Sequence, residues 1–223
     1  MRLLLAFFIV SAALAQSFEA RHDHWRGYCA GRLTLDENGA AFESVKKPKH
    51  SWSVPYLDAQ QVRVLDNGGF RLLTYKDRKW RLGADREYRL RVAEKDFAAR
   101  VGPRLERRLE RRFVAGLAET AVTPLWEIPA KHRLRLSGTE GVLIAAADRV
   151  IYRTEQPGHS RTWLFSDIDN VSSSGPYQFT IVTHERARGH YGDRKGFNFQ
   201  LKQALTEKQY DDLWKRLERR TTR

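Results

Sequence analysis

Near the start of the chain stand His22, Asp23, His24 and Cys29, side chains of the kinds that hold transition metals through imidazole nitrogen and thiolate sulfur. Their spacing is short and no second cluster of the usual kind follows. The segment therefore reads as a polar N-terminal extension, and no metal or other cofactor is expected. Cys29 is the single cysteine, so no internal disulfide can form. With no base identified for it, it reads as a small buried residue or stray thiol rather than a nucleophile. Ser172-Ser173-Ser174-Gly175, with His184 beyond, offers a hydroxyl and an imidazole for acyl transfer, but the sequence has no Gly-x-Ser-x-Gly elbow. That stretch reads as a turn of small polar residues. A phosphate loop, a dinucleotide fingerprint and a His-Glu-x-x-His helix are also absent from the sequence. Asp58 and Asp167 suit capping or turn roles better than general acid and base work. No catalytic residue is assigned.

Basic side chains are the remaining chemistry. Arg186, Arg188, His190, Arg194 and Lys195 crowd one apparent loop, where Tyr191 could stack on a ligand. Two helical stretches carry Arg104, Arg108 and Arg111, and Lys215 and Arg219, interleaved with glutamates that can form i,i+4 pairs. Net charge is +13, so the surface should attract anionic partners.

The elements that must position these residues show an internal repeat. Gly31, Leu33, Phe42 and Ser44 match Gly141, Leu143, Tyr152 and Thr154 at a spacing of 110. After a one-residue slip, Tyr56, Asp58, Ala59, Val62 and Leu72 meet Phe165, Asp167, Ile168, Val171 and Ile181, and Tyr88, Leu90 and Val92 meet Phe197, Phe199 and Leu201. Alternation of apolar and polar residues predicts about seven short strands per copy. Asp36-Glu37-Asn38-Gly39 is read as a hairpin whose Asn-Gly pair tolerates positive φ, while Asp66 to Gly69 and Gly83-Ala84-Asp85 are read as breaks. Each copy ends in a helix. Thr206 to Gln209 forms a capping box before the stripe Tyr210, Leu213, Trp214 and Leu217. The earlier stripe, Phe97, Val101, Leu105, Leu109 and Phe113, is interrupted at Gly102-Pro103, which predicts a kink or a start at Pro103. Residues 115–130 read as the connection, with Trp126 packed at the junction.

Met1-Arg2, the apolar run Leu3 to Leu14 and Ala13-Leu14-Ala15 have the form of a secretory signal peptide. About a dozen apolar residues fall short of the roughly 20 that span a bilayer, and no later segment reaches that length.

About seven strands followed by one amphipathic helix resembles the pleckstrin-homology-like superfamily, including its bacterial and GRAM-type members. The matching stretches are Gly31 to Leu35 and Gly141 to Ile144, Tyr56 to Val62 and Phe165 to Val171, Phe197 to Leu201, and the closing helix. The resemblance implies two sheets packed nearly orthogonally with the helix plugging one open end. Arg32 stands beside Asp36 and Glu37, so the first hairpin lacks the basic cluster of phosphoinositide-binding members and lipid specificity does not follow.

The expected class is mainly β with α (α+β), divided as signal peptide 1–15, extension 16–30, module 31–114, linker 115–130 and module 131–223. The expected function is a noncatalytic binding or scaffold protein of the envelope, periplasmic or secreted, engaging an anionic lipid surface or a protein partner. Nucleic acid suits the charge but not an exported location. An exported hydrolase of envelope lipid or polymer, with its cleft between the modules, is the alternative.

Overall fold

Strict alternation in Ser17-Phe18-Glu19-Ala20-Arg21-His22 makes one face apolar and one polar, and that period of two demands a strand. The computed structural model describes residues 15–24, 27–78, 81–187 and 194–221, and in it this run is the first strand. The strands of the first half are β1 (Gln16–His24), β2 (Gly27–Leu35), β3 (Gly39–Ser44), β4 (Trp52–Pro55), β5 (Ala59–Leu65), β6 (Gly69–Arg78) and β7 (Arg81–Val92). Helix α1 (Phe97–Leu109) and β8 (Phe113–Gly116) follow. The second half runs β9 (Trp126–Arg133), β10 (Gly138–Ala145), β11 (Arg149–Arg153), β12 (Arg161–Leu164), β13 (Ile168–Ser172), β14 (Gln178–Thr183), β15 (Lys195–Leu201) and α2 (Glu207–Thr221). The described residues are thus mainly β with two α-helices.

All fifteen strands join one sheet, ordered β13-β14-β15-β9-β10-β11-β12-β8-β5-β6-β7-β1-β2-β3-β4. On either side of β8 the order has the same form: the last three strands of a half, then its first four. Partners agree as well. Leu33 lies opposite Phe42 and Leu143 opposite Tyr152, while Tyr88 lies opposite Leu72 and Phe197 opposite Ile181. The sheet is continuous but its interior is not. One core gathers Phe18, Leu33, Phe42, Phe70 and Leu72 under Phe97, Val101 and Leu105 of α1. The other gathers Leu143, Tyr152, Trp163, Phe179 and Phe199 under Leu213 of α2.

Several boundaries differ from expectation. Residues 16–24 and 27–30 are β1 and the start of β2 rather than an extension, because Phe18 and Ala20 are core residues and β1 fills the place between β7 and β2. Gly83-Ala84-Asp85 lies inside β7 and is not a break. The expected connection 115–130 contributes to β8 and β9, and Trp126 opens β9 in the second core. Helix α1 runs through Pro103, and Phe113 belongs to β8, since the helix ends at Leu109. Trp214 is an exposed member of its stripe, whereas Tyr210 and Leu217 pack partly buried beside Leu213. The first hairpin turn rests on Asp36, whose carboxylate accepts the backbone N–H groups of Asn38 and Gly39 at 2.7 and 2.8 Å, with neither residue at positive φ. Positive φ is found instead at four glycines, Gly27, Gly68, Gly158 and Gly175. The expected signal peptide, 1–15, lies outside the described residues but for Ala15. No helix among the described residues is long and apolar enough to cross a membrane.

Candidate binding surfaces and a histidine–cysteine cluster

The basic residues expected to meet a partner are largely engaged within the protein. Arg186 donates to the Asp85 carboxylate and the Gln60 carbonyl of the first half. Arg194 pairs with Asp169 at 3.1 Å, and Lys195 lies 3.6 Å from Glu185. Arg188, His190 and Tyr191 lie outside the described residues. On α1, Arg104 donates to the Leu35 carbonyl at 3.1 Å and Arg108 to that of Glu37 at 2.9 Å, tying the helix to the β2–β3 turn. Arg111 and Lys215 are exposed, and Arg219, also exposed, donates to the Lys215 carbonyl at 3.2 Å.

Where the halves meet, polar chemistry is concentrated: one buried carboxylate faces three cations, and Arg161 Nη1 is buried with no hydrogen-bond partner among the described residues. Glu185, only 5% exposed, receives Arg161 and Trp163 of the second half and Arg63 of β5, the last at 3.3 Å. Burial raises its carboxyl pKa, but Arg161, Lys195 and Arg63 outweigh that and hold it below the usual carboxylate range. Burial also pulls Lys195 down to about 8 and Arg161 to about 10. The seam is therefore a buried ion cluster. A cleft of about 880 Å³ opens elsewhere, on β1, β2 and β7 of the first half, lined by charges of both signs including Glu19, Arg21, Arg32, Glu43 and Arg91.

A basic surface that sequence reasoning missed lies at the β9–β10 hairpin. Lys131 and Arg133 alternate outward along β9 between buried Ala130 and His132, and Arg135 is exposed in the turn. Leu136 follows at the tip with 95% of its surface exposed. The alternation of Lys131 to Leu136 was legible, but taking 115–130 as a linker hid the strand that carries it.

The side chains weighed as possible metal ligands converge. In the antiparallel β1–β2 pair His22 lies directly opposite Cys29, and His24 follows two residues on, so all three leave the same face. Their ligand atoms lie within 4.8 Å of one another, and His24 Nε2 is 3.0 Å from Cys29 Sγ. His50, from the short 3-10 turn Pro48–His50, brings its ring centroid to 4.4 Å from that of His24. Phe42, Trp52 and Tyr88 wall His22. Burial, reinforced by His24 and His50, lowers the His22 pKa to about 4, and burial with His50 and Lys47 lowers that of His24. Both imidazoles are thus neutral at neutral pH, with lone pairs available.

The remaining candidates take structural roles. Ser173 Oγ donates to the carbonyls of Gly175 and Gln178, closing the expected turn. Asp167 accepts the Leu164 N–H at 3.1 Å, at the start of the 3-10 turn Phe165–Asp167.

No family model matches the chain, and no curated protein matches it. Among solved structures, it is similar to the C-terminal domain of an unknown protein from Leishmania infantum, at 11% identity over 43% of this chain and 84% of that one, with a TM-score of 0.33. It is also similar to a chain in the structure of the Spt16D Pob3N heterodimer, at 12% identity over 78% of this chain and 85% of that one, with a TM-score of 0.38.

Proposed function

We propose that this is a noncatalytic binding protein of the cell envelope, built from two copies of a pleckstrin-homology-like module and docking on an anionic membrane surface. The observation that carries the docking is the β9–β10 tip. Leu136 is almost fully exposed, and Lys131, Arg133 and Arg135 stand exposed in the same hairpin. A side chain that enters the acyl boundary beside cations that meet headgroups matches a bilayer interface.

The reading of two copies is supported by the shared strand order and by one close approach made twice. A Cβ on Gly31 would sit 2.2 Å from the Glu43 carbonyl and against the Phe42 ring, and one on Gly141 would sit 2.2 Å from the Arg153 carbonyl and against the Tyr152 ring. Export rests on the signal-peptide pattern before Gln16. Two linked copies raise avidity for a surface without any additional motif.

Flotation with vesicles tests the docking. At low salt the protein should rise with anionic vesicles and stay behind with neutral ones. Each basic residue near such a surface contributes about 1 kcal/mol, so Arg133→Gln combined with Arg135→Gln should weaken binding by roughly thirtyfold. Leu136→Asp should also weaken it. Equal recovery on neutral and anionic vesicles, or an unchanged affinity in both variants, would overturn the reading.

A further inference from the structure

We infer that the first half binds one transition-metal ion of the zinc class through His22, His24 and Cys29, with His50 closing the coordination shell. Three donors, two imidazoles and one thiol, meet near the turn of the β1–β2 hairpin, and a third imidazole comes to them from the Pro48–His50 turn. Their types match tetrahedral zinc, whose ligand atoms stand about 3.3–3.6 Å apart when the metal–nitrogen and metal–sulfur bonds have their usual lengths. The 3.0 Å His24–Cys29 separation and the 4.8 Å limit on His22, His24 and Cys29 bracket that spacing, so for these three small side-chain rotations suffice.

Packing alone leaves this cluster poorly satisfied. His22 is 8% exposed, and among the described residues its Nδ1 and that of His50 are buried with no hydrogen-bond partner. His22, His24 and His50 stand in a row, ring centroids 4.5 and 4.4 Å apart, which gathers three sets of imidazole lone pairs in one place. A cation that accepts those lone pairs converts an expense of folding into a set of bonds. Binding displaces the Cys29 thiol proton to solvent and leaves a thiolate on the metal.

The second half supplies an internal comparison. His132 lies opposite Thr139 in the β9–β10 register as His22 lies opposite Cys29 in β1–β2. There the facing residue is a hydroxyl, paired with the Tyr152 hydroxyl at 3.0 Å, and Leu134 stands two residues beyond His132 where His24 follows His22. The same scaffold is closed once with a Thr–Tyr hydrogen bond and once with metal-ligating groups. The chemistry of the first half is therefore an addition to the scaffold, not a requirement of it.

The test uses the full mature chain without an affinity tag, stripped with a chelator and then titrated with Zn²⁺ by calorimetry and with Co²⁺ by absorption. One Zn²⁺ per chain should bind, and Co²⁺ should give the visible bands of a tetrahedral site together with a near-ultraviolet thiolate-to-cobalt band. Cys29→Ser should abolish that band, and His24→Ala should weaken zinc binding by more than about a hundredfold, beyond what loss of a supporting partner does. His132→Leu should leave both readouts unchanged. Absence of saturable Zn²⁺ binding by the unmutated chain, a Co²⁺ spectrum without the sulfur band, or equal zinc affinity in Cys29→Ser would overturn the inference. The unmutated protein alone can deliver the first two results, so a variant that fails to fold does not obscure the outcome.

Discussion

His132 is a neutral imidazole held among Tyr152, Phe197 and Phe199, with its Nδ1 buried and without a partner among the described residues. Burial, helped by Lys195, Arg161 and His159, lowers its pKa to about 4 from the ordinary 6.5. Between those values the unfolded chain binds a proton that the folded chain refuses, so this residue makes stability fall as pH drops from 6.5 toward 4. The full effect is roughly 3 kcal/mol, at about 1.4 kcal/mol for each pH unit. His132→Leu should remove it: the stability of the unmutated chain minus that of the variant, from urea melts at several pH values, should be flat above pH 6.5 and decline below. A difference independent of pH would show that the imidazole is hydrated in the folded state. The residue was visible in the sequence but its environment was not. Phe18-Glu19-Ala20-Arg21-His22 and Ile128-Pro129-Ala130-Lys131-His132 match at the same spacing of 110 as Gly31 and Gly141, a signal that extends the repeat to the first strand. Two polar histidines, His22 and His24, interrupt the apolar look of β1 and mask the alternation around them.

At the scale of elements, strands with a wet face and a dry face are legible because their period is local: buried Leu33 and Leu35 alternate with polar residues in β2, and buried Phe70 and Leu72 do so in β6, although the start of β2 at Gly27 is not marked. Strand β8 was not legible: four residues carry too short a pattern, and its pairing is decided by distant partners, β5 in parallel and β12 antiparallel at Thr162. Helix α1 shows the opposite case, in which a local rule is overridden. Pro103 stands seventh in a thirteen-residue helix, removing the N–H that would bond the Ala99 carbonyl, yet Phe97, Val101, Leu105 and Leu109 are all buried on one face. Burial of four large side chains, each about 1.5–3 kcal/mol, exceeds the roughly 3 kcal/mol that an internal proline costs. Pro103 itself is exposed, so replacing it disturbs no packing. Pro103→Ala should therefore restore the missing bond and raise stability by about 2 kcal/mol, after allowance for the freer unfolded chain. Thermal melting would show the gain, and a lower midpoint would mean that the helix depends on the proline for its shape.

At the scale of the molecule, one sheet runs over two interiors, and the question is what makes them a unit. The β8–β12 ladder contributes a single residue pair, whereas β8 pairs with β5 over four, so the backbone ties β8 to the first half and only lightly to the second. Side chains carry the rest of the seam: Glu185 receives Arg63 from across it, and Arg186 reaches Asp85 and Gln60. Such pairing across 122 residues of sequence leaves no local trace, which is why charges that looked available for a partner are spent inside. Removing Glu185 leaves Arg161 and Lys195 buried in the second half without their anion, a loss of about 3–5 kcal/mol, and cuts the ionic tie to Arg63 at the same time. The second core should then open alone. Hydrogen exchange in rising urea should show β6 and β14 losing protection together in the unmutated protein, as parts of one cooperative unit. In Glu185→Gln, β14 should open at lower urea while β6 keeps its midpoint. Separate midpoints before mutation would mean that the cores are independent despite the shared sheet. Coincident midpoints afterwards would assign the coupling to the ties that remain, the short β8 ladder and the Arg186 contacts with Asp85 and Gln60.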